Sequence, residues 1–351
     1  MASEVEVAAM RHAVELAANG LGRTSPNPVV GCVLLDSAGV VVGEGWHARA
    51  GTPHAEVAAI AAAGDRARGA TAVVTLEPCR HVGRVGPCTG ALVAAGISRV
   101  VYAVDDPDPV AAGGAAELRG LGIAVESGVL VEEAERGNEA WLTARRLGRP
   151  FVTWKYAASL DGRVAAPDGS SRWVTGPEAR ADAHRLRAES DALMVGVGTV
   201  LADDPHLTIR DADMSGRGQP LRVVVDSDGR TPPDARIRDS AAETLIVTAA
   251  DVARNDDGLD PCAVLAFLHR REARSVLLEG GPTLAMSFLR ADLIDRVIGY
   301  VAPLLIGGGG LAALGGDGAL SIDKAWKWRI DAVDQIGADL RIEARPLRDA
   351  N

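Results

Sequence analysis

The sequence predicts an α/β protein of two domains, on three observations. The chain has 351 residues, about two domains' worth, and 47% of them are hydrophobic, enough for two buried cores. Apolar runs of strand length alternate with stretches of helical periodicity along most of its length. A short polar segment closed by proline, Arg145-Arg-Leu-Gly-Arg-Pro150, interrupts that alternation. The expected domains are therefore 1–147 and 150–351.

In the first domain, Ser3 and Glu6 have the spacing of a capping box, and Val7, Met10, Val14, Ala17 and Leu21 recur at helical spacing. A helix over 4–19 follows, stopped by Asn19-Gly20. The apolar runs Val29 to Leu35 and Val40 to Trp46, split by Asp36-Ser-Ala-Gly39, predict a hairpin. Alanine-rich Ala55 to Ala63 is a helix, Thr71 to Leu76 a strand, and Thr89 to Ala95 a helix closed by Gly96. Arg99 to Val104 and Ile123 to Ser127 are strands around a helix at Ala115 to Leu121, and Leu130 to Arg145 is one long helix. A hairpin followed by alternating strands and helices gives a three-layer α/β/α sandwich.

Chemistry concentrates in Pro53-His54-Ala55-Glu56, Glu77-Pro78-Cys79 and Pro87-Cys88. His54, Cys79 and Cys88 are ligands of the kind Zn²⁺ prefers, and three of them leave a fourth tetrahedral position for water. Glu56 lies two residues past His54 and is free to move protons beside that water, as in zinc deaminases. Each piece alone is common, since a lone His-x-Glu or Pro-Cys arises by chance and most cysteines of this kind are inert and buried. Placement carries the weight. His54 opens the 55–63 helix, Cys79 follows the 71–76 strand and Cys88 opens the next helix. Two helix N-termini then bring ligands to one strand end and favour thiolate there. A structural zinc with His81 as fourth ligand is the rival reading, and it leaves Glu56 without a role. In Thr24-Ser-Pro-Asn-Pro28 two prolines fix an extended loop, so Asn27 is either part of a plain turn or a rigid contact for a substrate.

Composition narrows the partner. The formal net charge is -10 and the pI about 5.3, which argues against nucleic acid, whose phosphates demand a basic surface. A small soluble substrate fits better. No apolar run approaches the length of a membrane span, and the acidic N-terminus lacks the pattern of a signal peptide. Four cysteines are too few and too scattered for a disulfide framework, so a cytoplasmic location is expected, with Cys32 and Cys262 inert. The sequence leaves the oligomeric state open, a homo-oligomer included.

In the second domain Phe151 to Tyr156 reads as a strand, Ser159-Leu-Asp-Gly-Arg163 as a turn, and Pro177 to Ala188 as a helix with proline at its start. Ala192 to Gly196, Leu221 to Val225, Thr244 to Thr248, Ser275 to Leu278 and Val297 to Ile306 are apolar strands. A clean Rossmann fingerprint is missing. Glu279-Gly-Gly-Pro-Thr283 lies between a strand and a helix at 282–289, where glycines let backbone N–H groups approach a phosphate. Gly307 to Gly310 closes another strand, and such glycines more often serve turns than phosphates. Arg187 and Arg210 are either a bidentate phosphate clamp or ordinary ion-paired arginines.

Taken together, these motifs resemble the bifunctional deaminase/reductase family of riboflavin biosynthesis. The first half carries Thr24-Ser-Pro-Asn-Pro28, Val30-Gly31, Gly43-Glu-Gly-Trp-His47, His54-Ala-Glu56, Thr75-Leu-Glu-Pro-Cys79, His81-Val-Gly-Arg84, Pro87-Cys88 and Asp106-Pro-Asp-Pro109. Eight residues separate the two cysteines, as in that family, whereas nucleoside deaminases usually have two. Val85-Gly86 departs from the family's usual Thr-Pro or Thr-Gly, and Asp295-Arg296 from its usual Asp-Glu. The second half carries Lys155-Tyr-Ala-Ala-Ser-Leu-Asp-Gly-Arg163, Ser171-Arg-Trp173, Arg187-Ala188, Asp203-Asp-Pro-His-Leu-Thr-Ile-Arg210, Asp226-Ser227, Glu279-Gly-Gly-Pro-Thr-Leu284 and Ala302-Pro303.

The resemblance implies a cytidine-deaminase-like first domain with Zn²⁺ on His54, Cys79 and Cys88, and Glu56 as acid and base. It implies a second domain similar in fold to dihydrofolate reductase that uses NADPH. Ala157, Trp173, Thr199, Asp203, Ser227, Gly281, Pro282, Thr283, Leu284, Ala285, Met286 and Ser287 would line the cofactor. Asn27 and His81 would meet substrate in the first domain, and Ser171, Arg187, Leu207, Arg210 and Glu279 in the second. Lys155 and Glu279 are candidates to assist proton transfer. The implied substrate is a phosphorylated diaminopyrimidine. The last forty residues carry little motif.

Overall fold

A computed structural model describes residues 1–81, 86–210, 218–256 and 258–347. Arg84 and Val85 of the inter-cysteine loop lie outside the described residues. The chain divides into two units, Met1–Gly148 and a second from Arg149 onward.

The first unit opens with α1 (Glu4–Ala18), whose capping box is complete. Glu6 N–H donates to Ser3 Oγ at 3.3 Å, and Ser3 N–H donates to the Glu6 carboxylate at 2.7 Å. A hairpin of β1 (Gly31–Leu35) and β2 (Val41–Trp46) follows, its turn set by the Asp36 carboxylate, which accepts from Ala38 and Val40 N–H. Then come α2 (Ala55–Ala63), β3 (Thr71–Leu76), α3 (Cys88–Ala94), β4 (Arg99–Val104), α4 (Gly114–Gly120) and β5 (Ala124–Ser127). The sheet order is β2-β1-β3-β4-β5, with β3, β4 and β5 parallel and β1 antiparallel to both neighbours.

Strand alternation makes the layers. Cys32, Leu34, Val74 and Val100 face the core that holds Ala59, Leu92 and Leu118 of α2, α3 and α4. Val33, Leu35, Val73 and Val101 face Met10 and Ala13 of α1 on the other side. The expected helix over 130–145 is in fact two, α5 (Val131–Gly137) and α6 (Glu139–Leu147). Asn138 breaks it with φ -122 and ψ 17. Its buried side chain accepts from Val29 N–H at 3.2 Å, and an Asn that finds such a partner just after glycine leaves the helix.

The second unit runs β6 (Phe151–Ser159), β7 (Arg163–Ala165), α7 (Pro177–Ala188), β8 (Ala192–Gly196), α8 (Val197–Asp203), β9 (Leu221–Val225) and β10 (Thr244–Val247). It continues through β11 (Arg254–Asn255), β12 (Gly258–Leu259), α9 (Pro261–His269), β13 (Ser275–Leu278), α10 (Pro282–Arg290), β14 (Arg296–Ala302), β15 (Leu311–Ala312), β16 (Trp328–Ile336) and β17 (Asp339–Pro346). The main sheet has the order β10-β9-β8-β13-β6-β14-β17-β16, parallel through β14 and antiparallel in the last two strands. One face packs Val264, Leu268 and Phe288 of α9 and α10, and the other packs Ala179, Leu186 and Val200 of α7 and α8. β14 ends at Ala302, earlier than the expected Ile306, because Pro303 has no N–H for the ladder. The carboxyl ends of β8, β13, β6 and β14 lie side by side, where open α/β sheets bind ligands.

Candidate functional site

In the first unit three ligand atoms converge. His54 is the N-cap of α2, Cys88 opens α3, and Cys79 follows the end of β3. Their donor atoms all lie within 4.8 Å of one another. His54 Nδ1 is 3.2 Å from Cys88 Sγ and 3.6 Å from Cys79 Sγ. Ligands sharing a tetrahedral zinc at ordinary bond lengths sit about 3.6 Å apart, so the donor set and spacing fit that ion. Among the described residues the group has these three members, and neither Glu56 nor His81 joins it.

The electrostatics agree. The thiol of Cys88, together with His54, holds Cys79 down at about 4. Cys88 is pushed well up by the Cys79 sulfur, by burial and by Glu56. One thiol thus ionises readily, and the second negative charge needs a cation. Hydrogen bonding to Cys79 raises His54. Burial raises Glu56, a direction that suits a carboxyl required to take up and return a proton.

The end of β3 is held firmly. The buried Glu77 carboxylate accepts from Gly113 N–H at 3.2 Å, Ala115 N–H at 2.9 Å and Asp106 N–H at 3.3 Å. Gly114 packs so closely that a Cβ there would overlap the Pro78 carbonyl oxygen. Any side chain at 114 would push Pro78 and Cys79 off the metal position.

A cavity of about 140 Å³ is lined by His54 and Cys79 and also by Glu56, Asn27 and His81. His47, Asp106, Asp108, Trp141 and Arg145 line it too, and sequence reasoning assigned none of them a role. For His47 and Asp106 the signal was present in the motifs around them. Trp141 and Arg145 arrive from α6, which no local pattern links to the metal. The His47 ring is 3.2 Å through Nδ1 from the Pro53 carbonyl, and burial pulls its pKa down. A neutral ring that donates there leaves Nε2 as an acceptor without a partner. Burial, the neighbouring Asp108 and Glu77 push Asp106 up to about 6.

In the second unit two adjoining clefts share Lys155, Ala157, Ser171 and Asp203. One, of about 880 Å³, is lined also by Trp173, Arg187, Leu207 and Arg210. The other, of about 780 Å³, is lined also by Thr199, Glu279, Gly281, Pro282, Thr283 and Leu284. Val164 to Pro167, Gly196, Gly198 and Gly309 to Ala313 complete its wall and had no assigned role. Ser227 and Ser287 line neither cleft, and Ala285 and Met286 are buried in the core beneath α10. One turn past the glycines, the helix has rotated those two side chains inward.

A buried charge cluster joins the clefts. Arg187 donates from Nε and Nη2 to both Glu279 oxygens at 2.6 and 2.9 Å, and from Nη1 to the Thr208 carbonyl at 3.1 Å. Lys155 Nζ is 3.8 Å from Glu279. The Arg187 fork is therefore committed to Glu279 rather than open to a phosphate, whereas Arg210 is exposed. Burial alone would raise Glu279, but Arg187 and Lys155 outweigh it and hold the carboxyl at about 2. Burial pulls Lys155 down, and Glu279 opposes that only in part.

Two family models match the chain: the cytidine and deoxycytidylate deaminase zinc-binding region over residues 3–104, and the RibD C-terminal domain over residues 150–342. It is 48% identical over 334 residues to riboflavin biosynthesis protein RibD of Mycobacterium tuberculosis strain H37Rv, spanning 95% of each chain. The solved structure of Acinetobacter baumannii RibD, form 1, is 38% identical and superposes with a TM-score of 0.90 over 98% of this chain and 99% of that one. A Thermotoga maritima diaminohydroxyphosphoribosylaminopyrimidine deaminase/5-amino-6-(5-phosphoribosylamino)uracil reductase is 35% identical, with a TM-score of 0.85 over 97% and 99%. Both halves are matched, and the relatives align over nearly their whole length. The chain therefore belongs to the RibD family, the bifunctional enzymes of riboflavin biosynthesis that join a zinc-binding pyrimidine deaminase to an NADPH-dependent reductase.

Proposed function

We propose that residues 1–147 deaminate 2,5-diamino-6-(5-phosphoribosylamino)pyrimidin-4-one at C2 and that residues 150–351 then reduce its ribosyl group to ribityl. The observation that carries the reading is the enclosure of Glu56 in one cavity with His54 and Cys79, whose donor atoms lie within 4.8 Å of Cys88 Sγ. Zinc on those three residues supplies the activation of the water that is consumed. Glu56 takes one proton from that water and gives it to the ring nitrogen beside C2, then moves the remaining hydroxyl proton to the departing amine, so that ammonia leaves and a carbonyl replaces it at C2. Asn27 and His81 hold the ring against the metal side of the cavity, with the unpartnered His47 Nε2 facing the same occupant.

In the second unit NADPH supplies the hydride received at C1′ of the opened, imine form of the ribosyl group. Lys155, a buried cation with a lowered pKa, gives the balancing proton to the imine nitrogen, and Glu279, fixed by Arg187, orients it. Backbone N–H groups of Thr283 and Leu284 at the start of α10 would receive cofactor phosphate oxygens, since Pro282 has none and Gly281 N–H donates to Thr199 Oγ1. Ala285 to Ser287 act only through that helix. Ala157, Thr199 and Asp203 wall the cofactor, Trp173 stands in the adjoining cleft, and Ser227 lines neither. Ser171, Leu207 and Arg210 meet the substrate, Arg210 at its phosphate. The expected order of chemistry is testable: the deaminated compound oxidises NADPH at once, and the diamino compound does so only after ammonia appears. NADPH oxidation that precedes ammonia release contradicts it.

The substrate is a small phosphorylated molecule and not nucleic acid, in keeping with the net charge of -10. No helix of the described residues is long and apolar enough to cross a membrane. A reducing, cytoplasmic location is supported by the need for free thiols at Cys79 and Cys88, which are unpaired here. Self-association is supported by β16, the last strand of its sheet, which shows exposed Ile330 and Val333 on the same face as exposed Leu340 of β17. Sedimentation is expected to find a homo-oligomer that Val333→Glu dissociates, and a monomeric wild type contradicts this.

A further inference from the structure

The turn Ser159-Leu-Asp-Gly-Arg163 has no part in the chemistry above, yet it ties together the exits of two parallel strands. β6 and β14 run side by side and finish together, with Ser159 opposite Ala302. Beyond β14, residues 304–307 have no regular structure. Asp161 bridges the two exits. Its Oδ1 accepts from Ser159 Oγ at 2.5 Å and from Ile306 N–H at 3.1 Å, and its Oδ2 accepts from Gly307 N–H at 2.6 Å. Ser159 Oγ in turn accepts from Arg163 N–H at 2.9 Å, which closes the turn. Leu160 N–H donates to the Leu304 carbonyl at 2.9 Å alongside. These donors, Ser159 first, hold the Asp161 carboxyl at about 2, so it is charged at any working pH.

The segment that leaves this clamp is the glycine-rich wall of the second cleft. Gly309 to Ala313 line that cleft together with Thr199 and Gly281 to Leu284. Farther on, β15 pairs with β7, and a Cβ on Gly310 would lie 2.8 Å from the Ala165 carbonyl oxygen. The wall is thus pinned at its far end by strand pairing and close packing, and at its near end by the Asp161 carboxylate alongside the Leu160–Leu304 backbone bond. The backbone N–H groups it fixes belong to Ile306 and Gly307, whose direction decides where Gly309 begins.

We infer that Asp161 is a positioning residue for NADPH, setting the Gly309–Ala313 wall of the cofactor cleft by clamping Ile306 and Gly307. This rests on the assignment of that cleft to NADPH. It differs from a role in folding alone because the clamp touches one wall of one cleft. The substrate side at Leu207 and Arg210, which line only the other cleft, does not depend on it. Loss of the carboxylate should therefore weaken one ligand and spare the other.

The experiment uses the full zinc-loaded chain and measures KM for NADPH, KM for the deaminated substrate, kcat and ammonia release. Asp161→Ala is expected to raise the NADPH KM about tenfold, with the substrate KM changed less than about twofold. Ammonia release should be unaltered. Asp161→Asn should recover part of the loss, since its amide oxygen still accepts one N–H. Thr283→Asp places a carboxylate at the start of α10, in the wall of the same cleft, and reports separately on the cofactor assignment. If it weakens NADPH and Asp161→Ala does not, the clamp is wrong. If neither changes the NADPH KM, the cleft is not the cofactor's, and the inference falls with that reading. Equal rises in both KM values for Asp161→Ala would mark a general loosening and overturn the inference.

Discussion

Replacing Glu56 by Gln is expected to lower ammonia release about a thousandfold while zinc stays bound. The substitution keeps the shape of a buried side chain in the first turn of α2, so His54, Cys79 and Cys88 need not move. It removes only the ability to accept a proton. Metal content and thermal midpoint should match the wild type. The same variant should still oxidise NADPH when given the deaminated compound, because Lys155, Glu279 and Arg187 are untouched. Ammonia release within about tenfold of wild type, with zinc bound, would mean that another group moves the proton.

Replacing Glu279 by Ala should abolish NADPH oxidation and destabilise the protein by about 3–5 kcal/mol, because it leaves the charges of Arg187 and Lys155 buried without their partner. Arg187 would lose two charge-assisted bonds at once. The same carboxyl sets an acid limit. Its folded value of about 2 lies below the ordinary 4.5. A carboxyl depressed in this way adds its full stability above the unfolded value and loses it as pH falls through the folded one. The window is therefore pH 4.5 down to 2, and the contribution lost across it is about 3 kcal/mol. Chemical denaturation of wild type and Glu279→Gln at several pH values isolates it from other carboxyls. Their stability difference should be constant above pH 5 and shrink toward pH 2. A difference that does not change with pH would show that Glu279 is not the charged partner of Arg187.

The metal site was legible because its signals are local. His54 and Cys88 mark helix starts, Cys79 marks a strand end, and each position follows from a few neighbouring residues. The same holds for the Ser3–Glu6 box and the Asp36 turn. What escaped depends on partners distant in sequence or on patterns that point the wrong way. Asn138 breaks a helix because Val29, far along the chain, supplies its partner. Arg187 reads more readily as an ordinary ion-paired arginine than as a phosphate clamp, but its partner Glu279 is not legible from local sequence. α8 is Val-Gly-Thr-Val-Leu-Ala-Asp, where glycine and β-branched residues argue against the helix that forms. α9 did carry a signal, Asp260 capping the helix with Pro261 in its first turn. The β16–β17 pair alternates charged and apolar residues with most of β16 exposed, so burial leaves little trace in its sequence.

The measurement that tests the central claim most directly is ammonia release from zinc-loaded protein given the diaminopyrimidine ribosyl phosphate with NADPH left out. Stoichiometric ammonia, with a carbonyl at C2 of the product and subsequent NADPH oxidation on that product, is the expected result. No ammonia, with zinc confirmed on the protein, would contradict the deaminase assignment of the His54, Cys79, Cys88 and Glu56 site.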